Sequence, residues 1–459
     1  MVAGWTKHGD GRRLAPGEVV RPDERLSWPR MVGFGAQHVI AMFGATFVFP
    51  VVMGLDPNVA VMMSGVATIL FLLIVQGKIP SYLGTSASFV GGVVAIRAAT
   101  DSDAIVTGAI LVAGVVMALV GVAIHYLGVR IINRIFPPVV TGAVVMLIGF
   151  GLAFVVADTY WPQDPWIALI TMAATFLIIV LFRGFIGRIG ILLGLVTGYV
   201  LSWAADRVFG QITAFDAGAQ QVTTHLRVDF SGVASAPWIG LPQFHAPDFK
   251  VGAIVLVLPA VIALIAENVG HVKAVGEMTG ADVDRHMGRA IIGDGVGTVV
   301  ASAVGGSPTT TYAENIGVMA ATRVYSTAAY YIAAIVAILF GLCPKFGALV
   351  AATPGGVLGG VTVILYGMIG LLGAKIWIEN RVDFADPVNM VPVGAGIILA
   401  IGPVRHMITD EFTLEGIALG TIVVLVGYHV LRAIEARRRP DGGAGAAGGD
   451  VGIERGAAP

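Results

Sequence analysis

Long apolar runs alternate with short polar breaks from residue 31 to residue 433. Fourteen runs are distinguishable, at about 31–50, 57–77, 83–97, 104–126, 135–156, 165–182, 189–209, 249–271, 288–304, 309–321, 326–343, 347–372, 388–403 and 413–433. A membrane-crossing helix needs roughly 20 mostly apolar residues. Runs three (83–97) and ten (309–321) are too short or too broken for that. The pattern predicts an all-α polytopic membrane protein of about fourteen transmembrane segments, the third and tenth discontinuous.

Segment ten organises the rest. It opens on Gly305-Gly306-Ser307-Pro308, which cannot continue a regular helix because Gly is floppy and Pro lacks an amide donor. Three threonines follow, Thr309 to Thr311, and favour extended backbone. Then come Tyr312, Ala313, Glu314 and Asn315. An ionisable residue beside a broken helix at membrane depth marks a functional site by default.

Composition agrees: 56% of residues are hydrophobic and 12% charged, against roughly 25% charged in a soluble domain. The net charge of −1 offers nothing to a nucleic acid, and the one cysteine, Cys343, excludes an internal disulfide. Residues 1–30 carry no signal-peptide pattern and read as a disordered or loosely docked cytoplasmic tail. The Gly- and Ala-rich end after Arg439 reads as a flexible tail. With both ends placed in the cytoplasm, only Arg97, Arg207, Arg227, Lys250, Lys345 and Arg405 of the 28 Lys and Arg fall outside. The positive-inside rule is met, and the long loop at about 210–248 becomes extracellular.

The chain also repeats itself. Pro137-x-x-Val140-x-Gly142-x-Val144 returns as Pro354-x-x-Val357-x-Gly359-x-Val361, and the break at 306–315 has a counterpart at Gly84-Thr85-Ser86-Ala87-Ser88. Both pairs have nearly the same offset. Seven spans per half is odd, so the halves enter the membrane in opposite directions. Many secondary transporters have this plan, with substrate held at the midplane between discontinuous elements.

Segment eight contains Ala266-Glu267-Asn268-Val269-Gly270-His271. Glu267 and His271 are four residues apart and share a helical face, where carboxylate and imidazole can relay a proton. The alternative is a solvated, structural pair at a helix end. Gln37 and His38 interrupt the apolar first segment; a transmembrane His is more often a hydrogen-bonded packing residue, and a supporting role is expected. Free amides and carbonyls at a break, with Glu267 and Glu314, suit a small flat solute bearing NH and C=O edges. Neither a metal-ligand set nor a Gly-x-Ser-x-Gly elbow is present. A transporter is therefore favoured over a channel or a membrane-embedded enzyme.

The motif Glu314-Asn315-x-Gly317-x-x-x-x-Thr322-Arg323 resembles the signature of the nucleobase–ascorbate transporter family. Gln37-His38, Leu83-Gly84-Thr85-Ser86 and Ala266-Glu267-Asn268-x-Gly270-His271 look like that family too, and the resemblance spans about residues 31–433. It implies a seven-plus-seven inverted repeat. Residues 31–130 and 249–345 would form a core domain, 131–209 and 346–433 a gate domain, and 434–459 a cytoplasmic tail. It further implies proton-coupled uptake at the inner membrane, no cofactor beyond the coupling proton, and a homodimer in lipid.

Glu at the first signature position, within Thr309-Thr310-Thr311-Tyr312-Ala313-Glu314-Asn315, is similar to bacterial uracil permeases rather than purine or xanthine carriers. By that resemblance Glu267 and Glu314 bind the base, with Ala313, Tyr312, Ala87 and Ser88 around it. His271 assists Glu267 in proton coupling, and Gln37, His38, Asn315 and Phe89 support the site. One departure is that Ala87 and Ser88 stand before Phe89, where uracil permeases tend to place Phe directly after the turn. That leaves the substrate range open.

Overall fold

The computed structural model describes residues 4–12, 14–15, 17–128, 134–216, 221–402, 404–409 and 412–438. The Gly- and Ala-rich end from residue 439 lies outside the described residues.

The described residues between Gly4 and Ser27 form a docked strap. β1 (Thr6–Lys7) pairs in parallel with β2 (Glu24–Arg25). The Val20 amide donates to the Arg323 carbonyl at 2.9 Å, and the Tyr325 amide donates to the Val20 carbonyl at 2.8 Å. Trp5 packs edge-on against Trp28 and Tyr331 and donates its indole N–H to Thr327 Oγ1 at 2.8 Å. The expectation of a disordered or loosely docked tail is thus corrected: Val20 and Leu26 are fully buried anchors within a polar stretch.

Helices α1 (Trp28–Met53), α2 (Pro57–Ile74), α3 (Val90–Arg97) and α4 (Asp103–Leu127) follow. The Asp56 and Ser102 side chains cap α2 and α4 by accepting from the first-turn amides Asn58 and Ile105. Next come α5 (Pro138–Gly151), α6 (Pro165–Leu181) and α7 (Gly190–Phe209). The polar loop carries the hairpin β4 (Ile212–Asp216) and β5 (Gln221–His225). The second half supplies α8 (Val251–Thr279), α9 (Met287–Ser302), α10 (Ala313–Thr322) and α11 (Thr327–Gly341). After α12 (Pro344–Ala351) come α13 (Gly355–Glu379), α14 (Pro387–Ile401) and α15 (Gly416–Arg438). A hairpin of β7 (Arg405–Thr409) and β8 (Phe412–Glu415) joins the last two helices.

Each expected apolar run meets one of these elements, though α8 runs on to Thr279 and α13 to Glu379, and two starts move as well. Segment twelve begins at Gly355, not at 347. The residue before Pro354 is pushed out of helical conformation, so Pro344–Ala351 becomes a separate helix turned 82° from α11. Segment fourteen begins at Gly416, because Phe412–Glu415 is strand.

The broken segments carry strands. β3 (Leu83–Thr85) and β6 (Thr309–Thr311) pair antiparallel, with Gly84 opposite Thr310. The chain thus forms a short strand at each break, and the two strands run in opposite directions to make one ribbon. Around them, α1, α2, α4, α8, α9 and α11 pack on one another, while α5, α6, α7, α13, α14 and α15 form a second group. The repeated Pro-x-x-Val motifs open α5 and α13, which cross closely: the Trp377 indole donates to the Val139 carbonyl at 3.0 Å.

Val20→Asp is expected to bury an uncompensated carboxylate under the strap, a penalty on the order of several kcal/mol that would loosen the strap. Thermal unfolding of the purified protein in detergent reads this; a melting temperature equal to wild type would show that the strap is not docked.

Candidate functional site

The ribbon of β3 and β6 lies fully buried where α1, α2, α8 and α9 converge. Two strands in a dry interior leave both outer edges with unpaired backbone groups. Here α2 and α9 each supply a threonine for that edge. The Leu83 amide donates to Thr68 Oγ1 at 2.9 Å, and the Thr309 amide donates to Thr298 Oγ1 at 3.1 Å. The same device serves both halves.

The ribbon's ends are tied off in kind. The Ser86 amide donates to the Pro308 carbonyl at 2.9 Å, the Tyr312 amide to the Tyr82 carbonyl at 3.0 Å, and Thr85 Oγ1 and Ser307 Oγ lie 2.8 Å apart.

Each strand then turns into a short helix. β3 leads through a 3-10 turn, Ala87–Phe89, into α3. β6 leads directly into α10, whose first-turn amides have no side-chain cap and whose first turn carries Glu314. Such an N-terminus presents free donors and a partial positive charge. Ala87, Ser88 and Glu314 are half-buried and Ala313 is exposed, whereas Phe89 is buried in the packing behind them.

Glu267 enters from α8. Its carboxylate is close enough to that of Glu314 for the two charges to interact, and Asp294 on α9 interacts with Glu267 in the same way. The pair Glu267 and His271 lies two turns inside the end of α8, which continues to Thr279. His271 Nδ1 is 2.9 Å from Thr311 Oγ1, so the imidazole is bound to the ribbon.

The supporting residues have definite partners. Asn315 Nδ2 lies 3.1 Å from His38 Nδ1 and donates to the His38 carbonyl at 2.9 Å. The His38 ring stacks on Tyr330 with centroids 4.2 Å apart. Gln37, one residue earlier, is half-buried. Tyr312 is a brace: its hydroxyl donates to the Thr85 carbonyl at 2.8 Å and accepts from Thr46 Oγ1 at 3.1 Å. The side chain expected beside the substrate therefore spends its hydroxyl on α1 and β3, and what it offers the site is rigidity.

Sequence reasoning passed over Asp294. It is fully buried, accepts a hydrogen bond from Asn268 Nδ2, and sits against Thr311. The signal was available: Asp294 is an acid inside segment nine, between Gly293 and Gly295, and intramembrane acids are costly unless they have a role. Among the described residues, Asp294 Oδ1, Asn268 Oδ1, Thr310 Oγ1 and Asn315 Oδ1 are buried and meet no hydrogen-bond partner. Unsatisfied polar atoms gathered at one break suit a polar ligand or water.

These features belong to a membrane transporter built around two crossed, discontinuous segments. The family model described as "Permease family" matches residues 30–409. The chain belongs to this family of permeases, the nucleobase–ascorbate transporters. It is 42% identical to a chain of Escherichia coli (strain K12) provisionally named pyrimidine permease RutG, over 92% of this chain and 93% of that one. It is 36% identical to the uracil permease of Bacillus caldolyticus, over 88% and 93% of the two chains. Identity to the uracil permease of Escherichia coli (strain K12) is 35%, over 91% and 95%.

Among solved structures, the transmembrane domain of the cyanobacterium bicarbonate transporter BicA superposes with a TM-score of 0.57 at 14% identity, covering 87% of this chain and 96% of that one. The murine Solute Carrier 26 family member A9 anion transporter, in its inward-facing state, gives 0.62 at 12% identity, covering 89% and 68%. At such identities the likeness is one of fold, the inverted-repeat arrangement of core and gate.

A Cβ on Gly84 would overlap the Tyr312 ring and press on Thr46 Oγ1. Gly84→Ala is expected to displace Tyr312, cost about 1–3 kcal/mol and loosen the ribbon. Hydrogen exchange at Ser86 and Tyr312, faster than in wild type, reads the loosening; unchanged exchange would show that Tyr312 is not the brace.

Proposed function

We propose that this chain imports a nucleobase, foremost uracil, across the cytoplasmic membrane in symport with a proton, by alternating access. The observation that carries this reading is the convergence of Glu267, Glu314 and the uncapped start of α10 on one crossing of two broken segments. A nucleobase edge alternates ring NH and C=O groups. Glu314 would accept from a ring NH, the amides near Ala313 and Ala87 would donate to a carbonyl, and protonated Glu267 would donate to a second carbonyl. Three relatives whose names specify pyrimidine or uracil transport support the substrate class.

Proton coupling follows from chemistry at Glu267. A carboxylic acid offers the substrate a donor, and a carboxylate does not. Proton and base would then bind together, and by linkage each strengthens the other. His271, held by Thr311, would orient the acid and receive or return its proton, with no cofactor besides the coupling proton. In this reading the two helix groups rock against each other as core and gate, both termini face the cytoplasm, and the protein works as a homodimer in the inner membrane. A second reading, a range extending to xanthine and other purines, is favoured by Ala87 and Ser88 preceding Phe89. Uptake of radiolabelled uracil and xanthine into the same proteoliposomes, with and without an inward proton gradient, separates the two.

Glu314→Gln is expected to weaken uracil binding roughly ten- to hundredfold, the worth of a charge-assisted hydrogen bond of about 1.5–3 kcal/mol. Wild-type affinity in a correctly inserted variant would remove Glu314 from the site.

Glu267→Gln mimics the protonated acid. Wild-type binding should be strong at low pH and fade as pH rises through the titration of Glu267. The variant should bind with little pH dependence and fail to concentrate substrate against a gradient. Accumulation driven by a proton gradient in Glu267→Gln would place the proton carrier elsewhere.

A further inference from the structure

Away from the crossing, a cavity of about 240 Å³ lies between the two helix groups. Its wall on one side is α1, through Phe43 and Phe47; on the other side stand Leu195 and Tyr199 of α7, Phe346 of α12 and Leu358 of α13. Its two hydroxyls are already spent. Tyr199 donates to the Leu349 carbonyl at 3.2 Å, and Thr353 donates to the Val350 carbonyl at 2.6 Å. A water molecule needs two or more polar partners to settle in a cavity, and this wall offers water little. Yet the space is larger than an aliphatic cavity of about 150 Å³ that stays dry and takes up benzene. Its natural content is hydrocarbon.

The mouth says which hydrocarbon. Val196, Val200 and Leu349 line the cavity and are 47%, 54% and 41% exposed. Val196 and Val200 sit near the middle of α7, and α1 and α7 are both long and apolar enough to cross a bilayer. The opening is therefore at hydrocarbon depth, where the surrounding medium is lipid tails.

We propose that this cavity between α1, α7 and α12 is a binding site for one acyl chain of a membrane phospholipid, which enters past Val196 and Leu349. The chain lies in the seam between the two helix groups and fills the dispersion contacts that an empty cavity forfeits. It also touches α12, the turned connector from α11 to α13. One lipid tail thus contacts both helix groups and the connector between them.

The test uses the full chain in nanodiscs of phosphatidylcholine that carries a photoactivatable diazirine near the end of one acyl chain. Peptide mass spectrometry after illumination maps the adducts. The expected result is labelling of Phe43, Phe47 and Phe346 inside the cavity, besides the outward-facing Val180 and Leu181 of α6, which are 77% and 68% exposed. Leu195→Trp fills the cavity and should lower labelling of Phe43 and Phe47 at least tenfold while Val180 and Leu181 label as before. Val48→Phe fills it from the α1 side and serves if Leu195→Trp does not fold. Labelling confined to the outward-facing residues in the wild-type protein would overturn the proposal, whether the cavity stays empty or a second copy of the chain covers its mouth. Undiminished labelling of Phe43 and Phe47 in a folded cavity-filling variant would overturn it too.

Discussion

Backbone groups inside a bilayer must find partners within the protein, and everything at the centre of this molecule follows from how two broken helices meet that demand. Neither β3 nor β6 can satisfy itself. Each takes the other as its inner partner, and each takes a threonine hydroxyl, Thr68 or Thr298, for its outer edge. The pairing places the starts of α3 and α10 at the same crossing. It also explains several residue types at once: Gly84 because the Tyr312 ring passes over it, Ser307 because it faces Thr85, and the run of threonines because strand needs β-branched residues.

Packing around the ribbon relies on closeness, since lipid supplies little hydrophobic drive between helices. The α4 and α9 helices approach so tightly that a Cβ on Gly295 would press on the Ala118 backbone and one on Gly288 on the His125 backbone. Such an interface suits a rigid block. The seam between α1 and α7 is different in kind: aromatic and branched side chains meet there around a cavity. A transporter needs both, one part that keeps the site's geometry and another that lets two blocks shift.

The polar network shows how an acidic site is held in an apolar setting. Asp294 is bound to Asn268, His271 to Thr311, and Asn315 to His38, which in turn stacks on Tyr330. Each bond links a different pair among α1, α8, α9, β6 and α10. The orientation of Glu267 and Glu314 thus depends on most of the helices around the ribbon.

Much of this was legible in the chain itself. Length and spacing of apolar runs gave the helix order, because the bilayer imposes one span length on every crossing segment. Gly305-Gly306-Ser307-Pro308 and Gly84-Thr85-Ser86 marked the breaks, because Gly and Pro disrupt a helix wherever they fall. Tertiary structure alone decided the rest. Val20 and Trp5 anchor the N-terminal strap through partners some 300 residues away, which local polarity cannot reveal. Asp294 joins the site only because α9 packs beside α8. Tyr312 stands two residues before the signature yet spends its hydroxyl on Thr85 and Thr46, because the antiparallel pairing of β3 and β6 carries its ring across Gly84. A local sequence determines which residues a segment presents; which of them meet a substrate and which brace the frame is set by contacts between segments far apart in the chain.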